Sequence, residues 1–292
     1  MRIKCKELVK KVSIYKDRLV AQLADKILVY IEDNSDMKYK LHKKITRKLD
    51  CSLMVVTSNH IVLCHEKKLQ LLELGGSIER EWVFESSIRY FKTVGGPPRK
   101  EGLLVGLKNG DIFKIFIDNP FPILLLKQNV AIRCLDLSIS KRKLAIVDDN
   151  SNLTVYDLVT KETLFQEMNV SSVAWNTDAE DILAYSGGGM LSIKMGNFPP
   201  NTQKMQGFVV GFKGSKLFVL HQMNMSTIDV PQTTSLIKYV EKKDFASAYR
   251  VACLGITEQD FKYLGQEALQ AGDFETALKV RHVVFGSILT FI

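Results

Sequence analysis

The chain has 292 residues, 46% of them hydrophobic and 25% charged, with a formal net charge of +8. Such a balance supports a packed core, of the size of one large or two ordinary domains, and excludes wholesale disorder. The positive charge suits an acidic partner, yet it also falls within the range of many proteins that bind none.

The opening residues, MRIKCKELVKK, are charged from the second position and lack the apolar stretch of a secretory signal. Residues 2–9 read as an outer strand that closes a sheet against later sequence. From residue 12 onward one pattern recurs: apolar run, polar turn, apolar run. It appears as RLVAQLADKILVYI (18–31), HIVLCHEKKLQLLEL (60–74) and GLLVGLKNGDIFKIFI (102–117). It returns as KLAIVDDNSNLTVYDL (143–158), DILAYSGGGMLSIKM (181–195) and KLFVLHQMNMSTIDV (216–230). With turns at Ala24, Glu66, Lys108, Asp149, Gly187 and Gln222, the steps are 42, 42, 41, 38 and 35 residues. Short runs of Val, Ile, Leu, Phe and Tyr bounded by Asp, Asn and Gly predict hairpins, and a recurrence near 40 residues predicts four-stranded propeller blades.

A further apolar run precedes each hairpin: VSIY (12–15), SLMVVT (52–57), IRYFKTV (88–94), IRCLDLS (132–138), SVAWN (172–176) and GFVVGF (207–212). These are expected to be innermost strands, and EREWVFE (79–85) and FPILLLK (121–127) outer ones. Residues 132–164 resemble a WD40 repeat, with Tyr156-Asp157 where a Trp-Asp pair usually falls. Residues 172–193 look like the next repeat, with a Trp175-Asn176 corner and an acidic turn. No Gly-His dipeptide precedes either blade, so the usual internal hydrogen-bond network of a WD repeat does not carry over. The fold class expected is mainly β, a WD40-like propeller with six visible hairpins belonging to a seven-bladed ring.

After Pro231 the period changes. Ile237, Val240, Phe245, Ala248, Tyr249 and Ala252 fall at mostly helical spacing, and residues 257–284 continue it. Thr257 followed by Asp260 marks a helix start. KDFASAYRVA from Lys243 and GDFETALKVR from Gly272 are echoes 29 residues apart. They predict the first helix pairs of a tetratricopeptide-like α-solenoid, so the expected domains are 1–233 and 234–292.

Catalytic and ligand-binding patterns all have structural readings. His60, Cys64 and His65 are close in sequence, but a strand sends His65 to the opposite face from the other two, and no second ligand pair stands at zinc spacing. GGPP (95–98) and GGG (187–189) form turns without the helix that a phosphate-cradling loop requires. Asp148-Asp149 and Glu180-Asp181 read as turn residues rather than an acid/base pair. The Cys5, Cys51, Cys64, Cys134 and Cys253 set is odd in number and lacks CxxC spacing, which predicts a reducing compartment. No apolar run approaches the roughly 18–20 residues of a membrane span, and HVVFGSILTFI at the end has about half that length. An intracellular, soluble chain is expected, with no cofactor, no metal and no catalytic residue. The basic stretch of residues 38–48 has two readings. Lys38, Lys40, Lys43, Lys44, Arg47 and Lys48 form either an anionic-surface patch or the solvated face of an outer strand.

Long stretches carry a wider resemblance: VKKVSIYKDRLVAQLADKILVY, SSIRYFKTVGGPPRKEGLLVGLKNGDIFKIFIDN, LFQEMNVSSVAWNT, GFVVGFKGSKLF, KDFASAYRVACLGIT and EALQAGDFETALK. The chain resembles a WD-repeat subunit family of intraflagellar transport complex A, over all but its final residues. That family has two propellers and a long helical solenoid, and the resemblance places this chain at the second propeller and the solenoid's beginning. It implies a non-enzymatic scaffold supporting retrograde transport, cilium assembly and delivery of membrane proteins to the cilium. The implied partners are other complex A subunits and, indirectly, the retrograde dynein motor and ciliary membrane cargo, with no nucleic acid and at most a weak anionic-membrane contact. The implied location is the cilium, at axoneme and basal body, with cytoplasm and cytoskeleton. Two alternatives stay open: a vesicle-coat or membrane-tethering subunit of the same plan, and a phosphoinositide-binding propeller.

Overall fold

The computed structural model describes residues 3, 7–33, 38–46, 51–222, 224–230 and 232–286. Among them the fold is a β-propeller of six antiparallel sheets followed by four helices, and within each sheet consecutive strands are neighbours. The first sheet comprises β1 (Lys11–Tyr15), β2 (Arg18–Gln22), β3 (Lys26–Asp33) and β4 (Lys38–Thr46). The second has β5 (Leu53–Val56), β6 (His60–His65), β7 (Lys68–Glu73) and β8 (Ile78–Val83). The third has β9 (Ile88–Gly95), β10 (Gly102–Leu107), β11 (Asp111–Phe116) and β12 (Ile123–Lys127). In the fourth are β13 (Ile132–Leu137), β14 (Lys143–Asp148), β15 (Leu153–Asp157) and β16 (Thr163–Glu167). The fifth holds β17 (Ser172–Trp175), β18 (Ile182–Gly187), β19 (Met190–Met195) and β20 (Asn201–Lys204). The sixth has three strands among the described residues: β21 (Phe208–Lys213), β22 (Lys216–His221) and β23 (Asn224–Asp229).

The first five repeated hairpins are thus central strand pairs, the sixth is β22 with the edge strand β23, and every preceding run is the first strand of its sheet. No seventh sheet occurs among the described residues. Residues 2 and 4–6 of the expected closing strand lie outside them, and residues 7–10 form no strand. Lys10 N instead donates to Gln22 O at 2.7 Å, continuing the β1–β2 ladder.

The chain divides into two compact units, residues 1–135 with 146–150, and residues 136–145 with 151–292. In the first, Val20, Ile27 and Val29 pack with Met54, Val56, Ile61, Leu63 and Leu72 between the first two sheets. Val62, Leu69, Leu71 and Trp82 pack with Phe91, Leu103, Val105 and Ile115 between the second and third. Each such side chain contributes about 1.5–3 kcal/mol on leaving water. In the second unit, Ala174, Ile182, Ala184 and Leu191 pack with Val209, Phe212, Leu217 and Val219 between the fifth and sixth sheets, and Val251 joins them.

The helices are α1 (Thr233–Glu241), α2 (Phe245–Ala252), α3 (Glu258–Gln270) and α4 (Phe274–Gly286). The two helical stretches are each broken once. Lys243 has φ 59° and Gly272 φ 82°, ending α1 and α3 in the left-handed region. Asp244 and Asp273 then accept from Ser247 N and Thr276 N, capping α2 and α4. The 29-residue echo is therefore one helix–turn–helix written twice.

Candidate functional site

The polar side chains inside the sheets do a common structural job. Ser13 Oγ on β1 accepts from Val56 N of β5 at 2.9 Å. Asp136 Oδ2 on β13 accepts from Trp175 N of β17 at 2.8 Å, and Ser172 Oγ on β17 accepts from Val209 N of β21 at 2.7 Å. Ser172 also shares a 2.7 Å hydrogen bond with Ser186, whose hydroxyl donates to Gly207 O. In each case a short polar residue in the first strand of one sheet satisfies a backbone N–H in the first strand of the next. Asp136 and Ser172 are buried, where an unpaired amide is costly. Sequence reasoning did not identify this stitch. Its signal is a Ser or Asp set among the apolar residues of a first-strand run.

The WD-like corners are structural as well. Asp157 accepts from Val159 N and Thr160 N at 2.7 and 3.2 Å, and these bonds hold its carboxyl below the usual range, helped by Arg142. Asn176 accepts from Asp178 N and Ala179 N while its amide donates to Gly214 O, so the Trp-Asn corner is an Asx turn tied to the sixth sheet.

The residues considered for chemistry do not converge. His60 Nε2 lies 2.8 Å from Glu79 Oε2, Cys64 accepts from Ser52 Oγ, and His65 pairs across the strand with Lys68. Burial pushes the Cys64 thiol up, which makes it unreactive. Among the described residues no group of three metal-ligating side chains occurs. Asp149 pairs with Arg89 at 3.3 Å. Glu180 accepts from Ser140 N and Oγ at 2.8 and 2.7 Å, and Asp181 pairs with Lys143. Asp149, Glu180 and Asp181 are thereby committed to neighbouring turns and strands.

The basic stretch forms β4, the edge strand of the first sheet. Lys38, Lys40, Lys43 and Lys44 are exposed, whereas Ile45 is buried. Arg47 and Lys48 lie outside the described residues. Lys40 pairs with Asp33, and a bulge at the Val29–Tyr30 register lets Lys43 pair with Val29 and Leu41 with Tyr30. Lys43 also lines a cavity of ≈ 560 Å³ with Arg80, Arg99, Glu73, Glu79 and Asp118. Three cations and three carboxylates line it, so the cavity is charge-balanced.

A second cavity, of ≈ 640 Å³, lies within the second unit, walled by Phe165, Trp175, Phe198 and Tyr239. Its charges are engaged: Lys194 Nζ donates to Gly196 O and Phe198 O at 2.5 and 2.6 Å, and desolvation lowers its pKa. Phe198 meets Tyr239 edge-on at 5.1 Å, and Lys242 sits 4.2 Å from the centre of the Phe198 ring. These groups pin Phe198 against α1.

Residues 1–225 match the family model described as the IFT122 second beta-propeller. The chain is 57% identical over 282 residues to the human (Homo sapiens) intraflagellar transport protein 122 homolog, covering 96% of this chain and 23% of that protein. It is 56% identical to the Xenopus tropicalis homolog and 54% identical to the Danio rerio homolog, in each case over 96% of this chain and 24% of the relative. The chain thus spans about a quarter of the length of the curated relatives it matches.

Proposed function

The chain belongs to the intraflagellar transport protein 122 family, and from that membership we propose that it is a non-enzymatic scaffold segment of intraflagellar transport complex A. It holds other complex A subunits through the sheet edges of the propeller and the exposed helical faces, and so supports retrograde transport, cilium assembly and delivery of membrane proteins to the cilium. The retrograde dynein motor and membrane cargo engage indirectly, through the assembled complex. The observation that carries the reading is an overall identity of 54–57% over 282 residues, 96% of this chain. The stitched first strands support it, since they favour a stiff platform. The division of labour follows the chain: residues 1–233 as propeller, residues 234–292 as the start of a helical array.

The test is replacement of the matching quarter of a full-length relative by this chain, in ciliated cells lacking the endogenous protein. Ciliary localisation and return of transport particles from the tip are expected. Accumulation of the hybrid on Golgi membranes without ciliary signal would favour a coat or tethering subunit instead.

The exposed lysines of β4 favour a second, weaker contact with anionic lipid. Reversing Lys38, Lys40, Lys43, Lys44, Arg47 and Lys48 to Glu is expected to abolish binding to phosphoinositide vesicles at low salt; binding that survives dismisses this contact.

A further inference from the structure

The cavity of ≈ 640 Å³ in the second unit has a volume in the range of small-molecule sites. Four rings from four parts of the chain wall it: Phe165 on β16, Trp175 on β17, Phe198 just after β19 and Tyr239 on α1. Trp175 is only 6% exposed, and its indole Nε1–H has no acceptor among the described residues. A buried donor left unpaired is costly, and a ligand oxygen in the cavity would satisfy it.

The charges on the wall are matched unequally. Each carboxylate has a partner: Asp157 accepts from two backbone amides with Arg142 3.6 Å away, Asp181 pairs with Lys143, and Asp244 caps α2. Two ammonium groups have no carboxylate partner among the described residues. Lys194 donates to carbonyl oxygens and lies 5.4 Å from the centre of the Phe165 ring, and burial pulls its pKa down with no carboxylate to offset it. Lys242 lies over the Phe198 ring. A cationic ligand, which four rings would otherwise suit, is disfavoured because these two lysines already stand on ring faces. We propose that the cavity binds a carboxylate carried on an aromatic or apolar body, the body lying among the four rings, the carboxylate facing Lys194 and Lys242, and an oxygen of the same ligand accepting from Trp175 Nε1. Free organic acids and the C-terminal residue of a peptide share that chemistry.

Binding here is independent of complex A membership, and its failure leaves that reading untouched. The probe is N-acetylphenylalanine, which combines a benzyl group, an amide carbonyl and a carboxylate. It is titrated into the whole chain, followed by calorimetry and by NMR of the indole N–H groups. The chain has two tryptophans, so Trp82→Phe identifies the Trp175 signal. Saturable binding is expected, with a downfield shift of the Trp175 Nε1 proton as it gains an acceptor. The uncharged N-acetylphenylalanine amide is expected to bind about tenfold more weakly than the acid. Lys242→Ala, at an exposed position, is expected to weaken the acid to a similar degree, with circular dichroism to check that the fold is kept. A short peptide ending in phenylalanine with a free C-terminus separates the sources. Binding of both peptide and free acid assigns a chain terminus, binding of the free acid alone assigns a small organic acid, and either result supports the site. The proposal is overturned by an absence of saturable binding, by an amide as tight as the acid, or by a Trp175 signal that does not move.

Discussion

Asp136 is a buried carboxylate in β13, whose Oδ2 accepts from Trp175 N, 39 residues away, while Oδ1 accepts from Leu137 N. Removing the acceptor strands the Trp175 amide. Asp136→Ala is expected to cost about 1–3 kcal/mol in urea unfolding, and Ser172→Ala, which breaks the matching link to Val209, a comparable amount. The odd polar residue in each run is visible in the sequence, but its partner is not, because the partner belongs to the next sheet. Tyr185 supplies a pH dependence. Burial, first, and the nearby Glu167 carboxylate push its phenol up to about 12, from 10.0. The folded state therefore keeps the proton that the unfolded chain releases, so this contribution is complete below pH 10 and disappears as pH rises toward 12. Tyr185→Phe is expected to flatten the loss of stability over that window, read from unfolding midpoints at successive alkaline pH values; an unchanged slope contradicts the assignment.

At the scale of single elements, the hairpin of the fifth sheet separates two roles of glycine. Gly188 and Gly189, at φ 58° and 77°, form the two-residue turn, with open space where a Cβ would go. Gly187, in β18, would place a Cβ 1.7 Å from Asn169 O. Gly189→Ala is accordingly expected to cost only backbone strain, about 1–2 kcal/mol, while Gly187→Ala forces the backbone apart and lowers the melting temperature much further. A thermal melt of the two variants decides it. At α3, Thr257 accepts from Asp260 N, and Asp260 Oδ2 accepts in return from Thr257 N. Thr257→Ala is expected to destabilise by about 1 kcal/mol. That cap was legible as TEQD, and the α3–α4 break as Gly272. The α1–α2 break was not, because Lys243 adopts a left-handed φ without the glycine that usually announces one.

For the whole molecule, the six-fold recurrence of hairpins carried the fold, since a period near 40 residues predicts four-stranded antiparallel sheets in chain order. The number of sheets was left open: a seven-bladed ring was expected and six sheets occur among the described residues. The edges carried less information. The three-stranded sixth sheet has β23 where four strands were the rule, and nothing in NMSTID distinguishes an edge strand from an inner one. Function was legible only through long strings shared with a family, because a docking surface uses ordinary side chains at ordinary spacing. The most direct measurement is affinity capture of the tagged chain from ciliated-cell lysate, with Asp136→Ala in parallel as a chain whose sheet stacking is weakened. Recovery of other complex A subunits with the wild-type chain, diminished with the variant, is the predicted result. A folded wild-type chain that recovers none of them contradicts the account.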